Sequence, residues 1–171
     1  STEKAPFFNT DSARVYIVKA EESFATLTPK EKKSYEELLV NDNSIQTQKN
    51  SVCSTGLRFA LQQNGIDGLN HFITEFTFCT NMQQAISLRN ERAFSAAKSE
   101  NTSAAYKKFA DTYLTAKEFQ EANARYDERI FEETTQDRSI ASYLQFIKDY
   151  PNNPYTVQAD KVIYQLAIPN K

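Results

Sequence analysis

The chain has 171 residues, of which 40% are hydrophobic and 25% charged, and its formal net charge is −2. This composition is ordinary for a globular protein, and the absence of excess Lys and Arg argues against a nucleic-acid binder. No run of apolar residues is long enough for a transmembrane helix. Only three Gly and five Pro interrupt the chain, which favours an all-α fold.

The hydrophobic pattern predicts a leading helix followed by four helical pairs in one domain. Residues 1–10 form a polar lead-in, and residues 11–171 form a single helical repeat domain. The leading helix covers 11–26. The predicted pairs are 29–40 with 43–63, 66–78 with 80–98, 102–114 with 117–135, and 139–150 with 154–167.

Local signals support several of these helix ends. Thr28 is a good N-cap, because Pro29 follows it directly and Glu31 lies three residues after it. Thr102 and Ser103 lie where an N-cap of 102–114 is needed. The segment 150–154 contains two prolines and predicts a helix stop followed by a restart.

A repeat with a period of 37 residues runs through most of the chain. A shift of 37 places Arg92 on Arg129 and Phe94 on Phe131. The same shift aligns Leu69, Phe72, Phe76 and Ala85 with Tyr106, Phe109, Tyr113 and Ala122, and those with Tyr143, Phe146, Tyr150 and Ala159. In the first unit only Tyr35 and Leu39 fit, which is common for the end of an array. The pattern predicts a right-handed α-solenoid of stacked helical hairpins.

The last unit predicts that the natural chain continues. Ile168 falls on Phe131 of the repeat, but Phe131 is followed by another short helix, whereas Pro169, Asn170 and Lys171 interrupt the series after Ile168.

One segment resembles a known family. Residues 141–155 read Ala-Ser-Tyr-Leu-Gln-Phe-Ile-Lys-Asp-Tyr-Pro-Asn-Asn-Pro-Tyr and are followed by Ala159. This is similar to tetratricopeptide-like units of bacterial cell-envelope proteins, and the resemblance covers roughly 66–167. It implies a protein or peptide partner, no catalysis, and a periplasmic or cell-envelope location, often beside other domains.

The sequence offers little for catalysis. His71 is the only histidine, and a surface or packing role is favoured over catalysis or metal binding. The adjacent carboxylates at 21–22, 36–37 and 132–133 point about 100° apart on a helix, which favours a solvated face. Phe72, Phe109 and Phe146 are predicted core residues rather than a ligand-stacking surface. We therefore predict no catalytic, cofactor or metal site.

The two cysteines leave two readings open. If 43–63 and 66–78 form an antiparallel hairpin, Cys53 and Cys79 could lie side by side and form a disulfide. Buried free thiols are favoured over this bridge.

The repeated Glu-Arg pair gives the candidate binding surface. The favoured interpretation is that Arg92 and Arg129 form structural ion pairs or pack between units. The alternative is that they line a concave groove that binds an acidic peptide. The candidate partner-binding residues are Gln83, Arg89, Arg92, Gln120, Arg125 and Arg129. The function hypothesis is a non-enzymatic protein- or peptide-binding scaffold. The alternative is a structural spacer that positions a downstream domain, and a glycan-binding protein or hydrolase is less favoured.

Overall fold

The computed structural model describes residues 9–63 and 65–168, and these residues form helices joined by turns, without a β-strand. The prediction of an all-α fold is therefore confirmed for the described residues. The helices are α1 (Thr10–Ala25), α2 (Pro29–Glu36), α3 (Asp42–Gln62), α4 (Asp67–Glu75), α5 (Met82–Glu100), α6 (Ser103–Thr112), α7 (Phe119–Thr134), α8 (Ile140–Asp149) and α9 (Thr156–Ala167).

The chain divides into two compact units, and the boundary falls inside α5. Unit 1 ends at Arg89 and unit 2 begins at Asn90. Most of the predicted lead-in, residues 1–8, lies outside the described residues, as do the terminal residues 169–171. Asn9 caps α1 by accepting hydrogen bonds from the backbone N–H groups of Asp11 and Ser12 at 3.0 Å.

The predicted caps are present. The side chain of Thr28 accepts the N–H of Glu31 at 3.4 Å, and the Glu31 carboxylate accepts the N–H of Thr28 at 2.8 Å. The Thr28 hydroxyl also donates to the Glu31 carboxylate at 2.6 Å, and this bond, together with the one from the Thr28 N–H, holds the pKa of Glu31 below its usual value. Thr102 accepts the N–H of Ala105 at 3.1 Å at the start of α6. Each cap satisfies a backbone donor that the first turn of a helix leaves open.

Several predicted helix ends were wrong for a physical reason. The helix predicted at 29–40 ends at Glu36, because the chain turns at Leu39, whose φ is +62°. The long helices predicted from 80, 117 and 154 begin two residues later, at Met82, Phe119 and Thr156. A turn precedes each of them, and the N–H groups that close these turns belong to Cys79, Ala116 and Asn153.

In unit 1, the helix predicted at 43–63 was expected to pair with 29–40, but α3 packs mainly against α1 and α4 instead. The stacked rings of Phe72 and Phe76, 4.9 Å apart, lie against Gly56 in the middle of α3. A Cβ atom at Gly56 would lie 2.8 Å from the Phe76 ring, so this residue lets α4 approach closely. The repeat pattern did not predict this role.

Ion pairs connect α1 to the other helices of unit 1. Arg14 Nη2 lies 2.8 Å from the Glu75 carboxylate on α4, and its guanidinium also lies 5.9 Å from the centre of the Phe76 ring. Lys49 Nζ on α3 lies 2.7 Å from the Glu21 carboxylate. These cation–π and ion-pair contacts orient α1, whose inward side contributes Phe24 as its buried residue.

A disulfide bond joins α3 to the turn after α4. Cys53 and Cys79 are bonded, with their Cα atoms 5.6 Å apart. The prediction of buried free thiols was therefore wrong. The alternative required α3 and α4 to run antiparallel, and this arrangement brings the two cysteines together. Both side chains also belong to the hydrophobic core of unit 1.

In unit 2, α6 packs against α7 and α8 packs against α9, as the last two predicted pairs required. Phe94 from the second half of α5 contacts Tyr106 and Phe109 of α6. Phe131 of α7 contacts α8 in the same way, through Tyr143 and Phe146. The core of unit 2 is thus built largely from aromatic rings.

Burial recurs at the positions that the 37-residue shift aligned. Phe72, Phe109 and Phe146 are all buried, which confirms that they are core residues. Ala85, Ala122 and Ala159 are completely enclosed. A small side chain at these positions leaves room for the neighbouring rings.

We expect Ala122→Leu to lower the free energy of unfolding by about 1–3 kcal/mol, because the larger side chain has no space in the core. Urea denaturation followed by far-UV circular dichroism measures this change. Ala124→Leu on the exposed side of α7 is the matched control and should have little effect. Equal stability of the two variants would contradict the packing role of Ala122.

We expect reduction of Cys53–Cys79 to lower the free energy of unfolding by about 3.5 kcal/mol, because the bond closes a loop of 26 residues in the unfolded chain. Thermal melts with and without reductant measure the effect. The Cys53→Ala, Cys79→Ala double variant should melt near the reduced protein and should not respond to reductant. Two free thiols in the untreated protein, detected by alkylation and mass spectrometry, would contradict the bond.

Candidate functional site

The six candidate binding residues are divided between the two units. Gln83 and Arg89 belong to unit 1, and Gln83 is exposed while Arg89 is half-buried. Arg92, Gln120, Arg125 and Arg129 belong to unit 2. Among these, Gln120 and Arg125 are exposed, and Arg92 and Arg129 are half-buried. Within unit 2 the candidates therefore lie on the second half of α5 and on α7.

The arginines of α7 form ion pairs within their own helix. Arg125 Nη1 lies 3.1 Å from the Glu128 carboxylate, three residues later. Arg129 pairs in the same way with Glu132. The partner of Arg129 is therefore not Glu128, the Glu of the repeated Glu-Arg motif. Both pairs are partly exposed, and ion pairs of this kind contribute only about 0.3–0.5 kcal/mol to helix stability.

The Arg129 pair is not a repeated feature. The position equivalent to Glu132 in α5 is Ser95, which cannot pair with Arg92 as a carboxylate does. Arg92 and Arg129 thus share a repeat position, but only Arg129 has a carboxylate three residues after it. An acidic ligand at Arg129 would have to compete with Glu132 for the guanidinium group.

The adjacent carboxylates Glu132 and Glu133 bind different partners. Glu132 pairs with Arg129, whereas Glu133 accepts hydrogen bonds from the N–H and the hydroxyl group of Ser103. The Ser103 N–H lies 2.8 Å from the carboxylate, at the N-terminus of α6, where negative charge is stabilising. The expected divergence is confirmed for this pair. The link to Ser103 was missed, because the two residues are 30 positions apart in sequence.

Asp127 connects α7 to the turn before α9. The side-chain amide of Asn153 donates to Asp127 Oδ1 at 3.1 Å and to the Asp127 backbone carbonyl at 3.3 Å. Burial raises the pKa of Asp127 above its ordinary value of 3.8. The sequence contains a signal for this contact. The 37-residue shift, applied twice, places Cys53 on Asp127 and Cys79 on Asn153, so this hydrogen bond joins the same two repeat positions as the disulfide.

His71 lies at the surface of unit 1, as predicted. Its Nε2 atom lies 2.8 Å from Asp11 Oδ1, and both side chains are about half exposed. A histidine and a carboxylate in this position join α1 to α4. Solvent screening keeps such an exposed contact weak.

A cavity of about 490 Å³ in unit 2 combines charges of both signs. It is lined by Glu91, Phe94, Ser95, Lys98, Lys117, Glu118 and Glu121. Glu118 is buried, and one of its oxygens lies 3.5 Å from Lys117 Nζ, while the other accepts no hydrogen bond from the described residues. The cavity is therefore polar, and its lining residues do not indicate a particular reaction.

Two further observations concern the described residues. Their His, Cys, Asp and Glu side chains do not gather in groups of three that could hold a metal ion. Among their helices, none has both the length and the apolar character needed to cross a bilayer.

We expect Asp127→Asn to raise the melting temperature at neutral pH. A raised pKa means that the folded state disfavours the ionised carboxylate, so this destabilisation develops as the pH rises through the raised pKa and is absent below the ordinary value of 3.8. An Asn at this position keeps an oxygen that can accept from Asn153. The gain should therefore disappear in acid. Asp160→Asn, which removes the same charge from an exposed position, is the control, and an equal gain there would contradict the role of burial.

Comparisons with known protein families, with curated protein sequences and with solved structures find no match to this chain.

Proposed function

We propose that this chain is a non-enzymatic protein- or peptide-binding scaffold, built as a right-handed α-solenoid of hairpins with a 37-residue period. The observation that carries the proposal is the recurrence of the same local structure at this spacing. Phe76, Tyr113 and Tyr150 end successive short helices, and each donates its N–H to the carbonyl of the phenylalanine four residues earlier. Repeated helical hairpins commonly build extended binding surfaces.

The proposed binding surface lies on the long helices of unit 2. It consists of Arg92 on α5 together with Arg125 and Arg129, which lie one turn apart on α7. Gln120, nine residues before Arg129, lies on the opposite side of α7 and is not part of this surface. An extended or helical peptide could contact several of these residues at once. A peptide carboxylate can bind an arginine in bidentate geometry, which is stronger than the exposed pairs of Arg125 and Arg129 within their helix. The proposed ligand is therefore an acidic peptide segment.

The disulfide supports a location outside the reducing cytosol. Bonds between cysteines persist in secreted and periplasmic proteins, whereas cytosolic thiols are kept reduced. Cys53–Cys79 is buried in the core of unit 1. We therefore propose a periplasmic or cell-envelope location for the scaffold.

The test begins with selection of peptides from a displayed random library against the folded chain. Calorimetric titration of a selected peptide then compares the parent with the Arg92→Ala, Arg129→Ala double variant. We expect at least about tenfold weaker binding, since a charge-assisted hydrogen bond contributes about 1.5–3 kcal/mol. The melting temperature should fall by no more than about 2 °C, since the exposed pair of Arg129 with Glu132 contributes little to stability.

The matched control removes the same charge elsewhere. Lys108 and Lys148 are exposed residues of the short helices α6 and α8. The Lys108→Ala, Lys148→Ala double variant should bind the peptide like the parent. A selection that yields no acidic peptide, or an equal loss of affinity in the control, would reject the proposed surface. A fall of more than about 5 °C in the melting temperature of the arginine variant would instead assign these residues to structure.

A further inference from the structure

The polar cavity of unit 2 contains a carboxylate that is only partly satisfied. Glu118, the residue that precedes α7, lines this cavity of about 490 Å³ and is only 9% exposed. Its Oε1 atom lies 3.5 Å from Lys117 Nζ, whereas its buried Oε2 atom has no hydrogen-bond partner among the described residues. A buried carboxylate oxygen without a donor is costly. A ligand that donates a hydrogen bond to this oxygen would therefore bind favourably.

The charges that line the cavity favour a positively charged organic group. Glu91, Glu118 and Glu121 contribute three carboxylates, and Lys98 and Lys117 contribute two ammonium groups, so the formal charge of the lining is 2 − 3 = −1. The side chain of Lys117 is 74% exposed, and solvent screens its charge. The two ammonium groups disfavour a divalent metal ion, which would also need several oxygen ligands.

The next repeat unit shows which shape fits in this place. The 37-residue shift carries Phe94 onto Phe131 and Glu118 onto Tyr155. The rings of Phe131 and Tyr155 are stacked, with their centres 5.1 Å apart and their planes 16° apart. Glu118 supplies a carboxylate where the next unit supplies that ring, and the cavity is lined by both Phe94 and Glu118. The repeat therefore indicates that a flat group can lie between these two positions.

A cation already lies over the Phe94 ring. Lys98 Nζ is 5.0 Å from the centre of the ring, at a distance typical of a cation–π contact. The ring thus accepts positive charge, but Lys98 does not provide the hydrogen bond that Glu118 Oε2 lacks. Lys98 is an exposed residue, and its long side chain can move from the ring into solvent.

We infer that this cavity binds the side chain of an arginine residue from a partner polypeptide. A guanidinium group is flat and positively charged, and it presents several N–H donors in one plane. It can therefore lie against Phe94 in place of Lys98 and donate to Glu118 Oε2 at the same time. A lysine ammonium group has the charge without the flat shape.

The exposure of the lining residues indicates why the arginine belongs to a polypeptide. Five of the seven lining residues are exposed, so the cavity opens to the surface while Glu118 and Phe94 are buried. An arginine side chain can reach these two residues while its backbone remains outside. The lining residues do not include the arginines of the proposed binding surface, so the inference does not depend on that proposal.

The test uses three short peptides as probes. Acetyl-Gly-Arg-Gly-amide and its counterparts with citrulline and with lysine are titrated into the isotopically labelled chain, and the amide shifts are followed by NMR. We expect saturable shifts around Glu118 and Phe94 with the arginine peptide. Citrulline has the flat shape without the charge and should not saturate, and lysine should bind at least about tenfold more weakly. Equal binding of the arginine and lysine peptides, or no saturable binding of the arginine peptide, would overturn the inference.

Two substitutions in the chain test the contacts with the ligand. Glu118→Gln should weaken binding of the arginine peptide at least about tenfold, because it removes the buried charge. The amide spectrum of this variant shows whether its fold is retained. Lys98→Ala uncovers the Phe94 ring and removes a competing cation, so it should tighten binding about threefold. Binding that occurs only in Lys98→Ala would identify Lys98 as the permanent occupant of the ring and reject the inference.

The chain offers a matched control for the loss of charge. Glu100 is exposed at the end of α5 and is not a lining residue of the cavity. Glu100→Gln should leave binding unchanged, and a loss equal to that of Glu118→Gln would indicate only a general attraction of positive charge.

Free arginine tests the source of the guanidinium group. Its own carboxylate would lie near Glu91 and Glu121 at the mouth of the cavity, so it should bind more weakly than the arginine peptide. Tighter binding of free arginine would contradict a polypeptide partner.

Discussion

The burial of one phenylalanine in each short helix is the interaction on which the rest of the structure depends. Phe72, Phe109 and Phe146 lie on helices of nine or ten residues, which are too short to be stable alone in water. Their stability comes from packing against the longer helices. The carbonyl of each phenylalanine also accepts the hydrogen bond that ends its helix. Ring burial and helix termination are therefore coupled at the same residue.

That burial requires small residues on the opposing helices. Ala85, Ala122 and Ala159 are completely enclosed near the start of each long helix. In unit 1, Gly56 allows an even closer approach, since the Phe76 ring occupies the space that a side chain would need. Large rings packed against small residues allow the helices to approach one another closely. The spacing of large and small residues thus specifies where one helix can cross another.

The sequence predicts the caps and the helical periodicity, but it misses a contact between distant residues, an unusual backbone conformation and the choice among several local partners. The caps at Thr28 and Thr102 follow from local chemistry, and the buried phenylalanines follow from helical periodicity. The link between Glu133 and Ser103 joins positions that share no local pattern. The early end of α2 depends on Leu39, whose backbone adopts a left-handed conformation that is rare for leucine. For the candidate site, exposure of the glutamines was predictable, but the pairing of Arg129 with Glu132 was not.

The turns before the long helices show how one geometry accepts different side chains. Cys79, Ala116 and Asn153 occupy equivalent positions, and all three are buried. A buried polar side chain must be satisfied, whereas an alanine requires no partner. Asn153 accordingly donates to Asp127, and Cys79 bonds to Cys53, the residue that the repeat aligns with Asp127. The repeat therefore requires a buried side chain at this turn. The chemistry of that side chain then determines which partner residue the preceding long helix must provide.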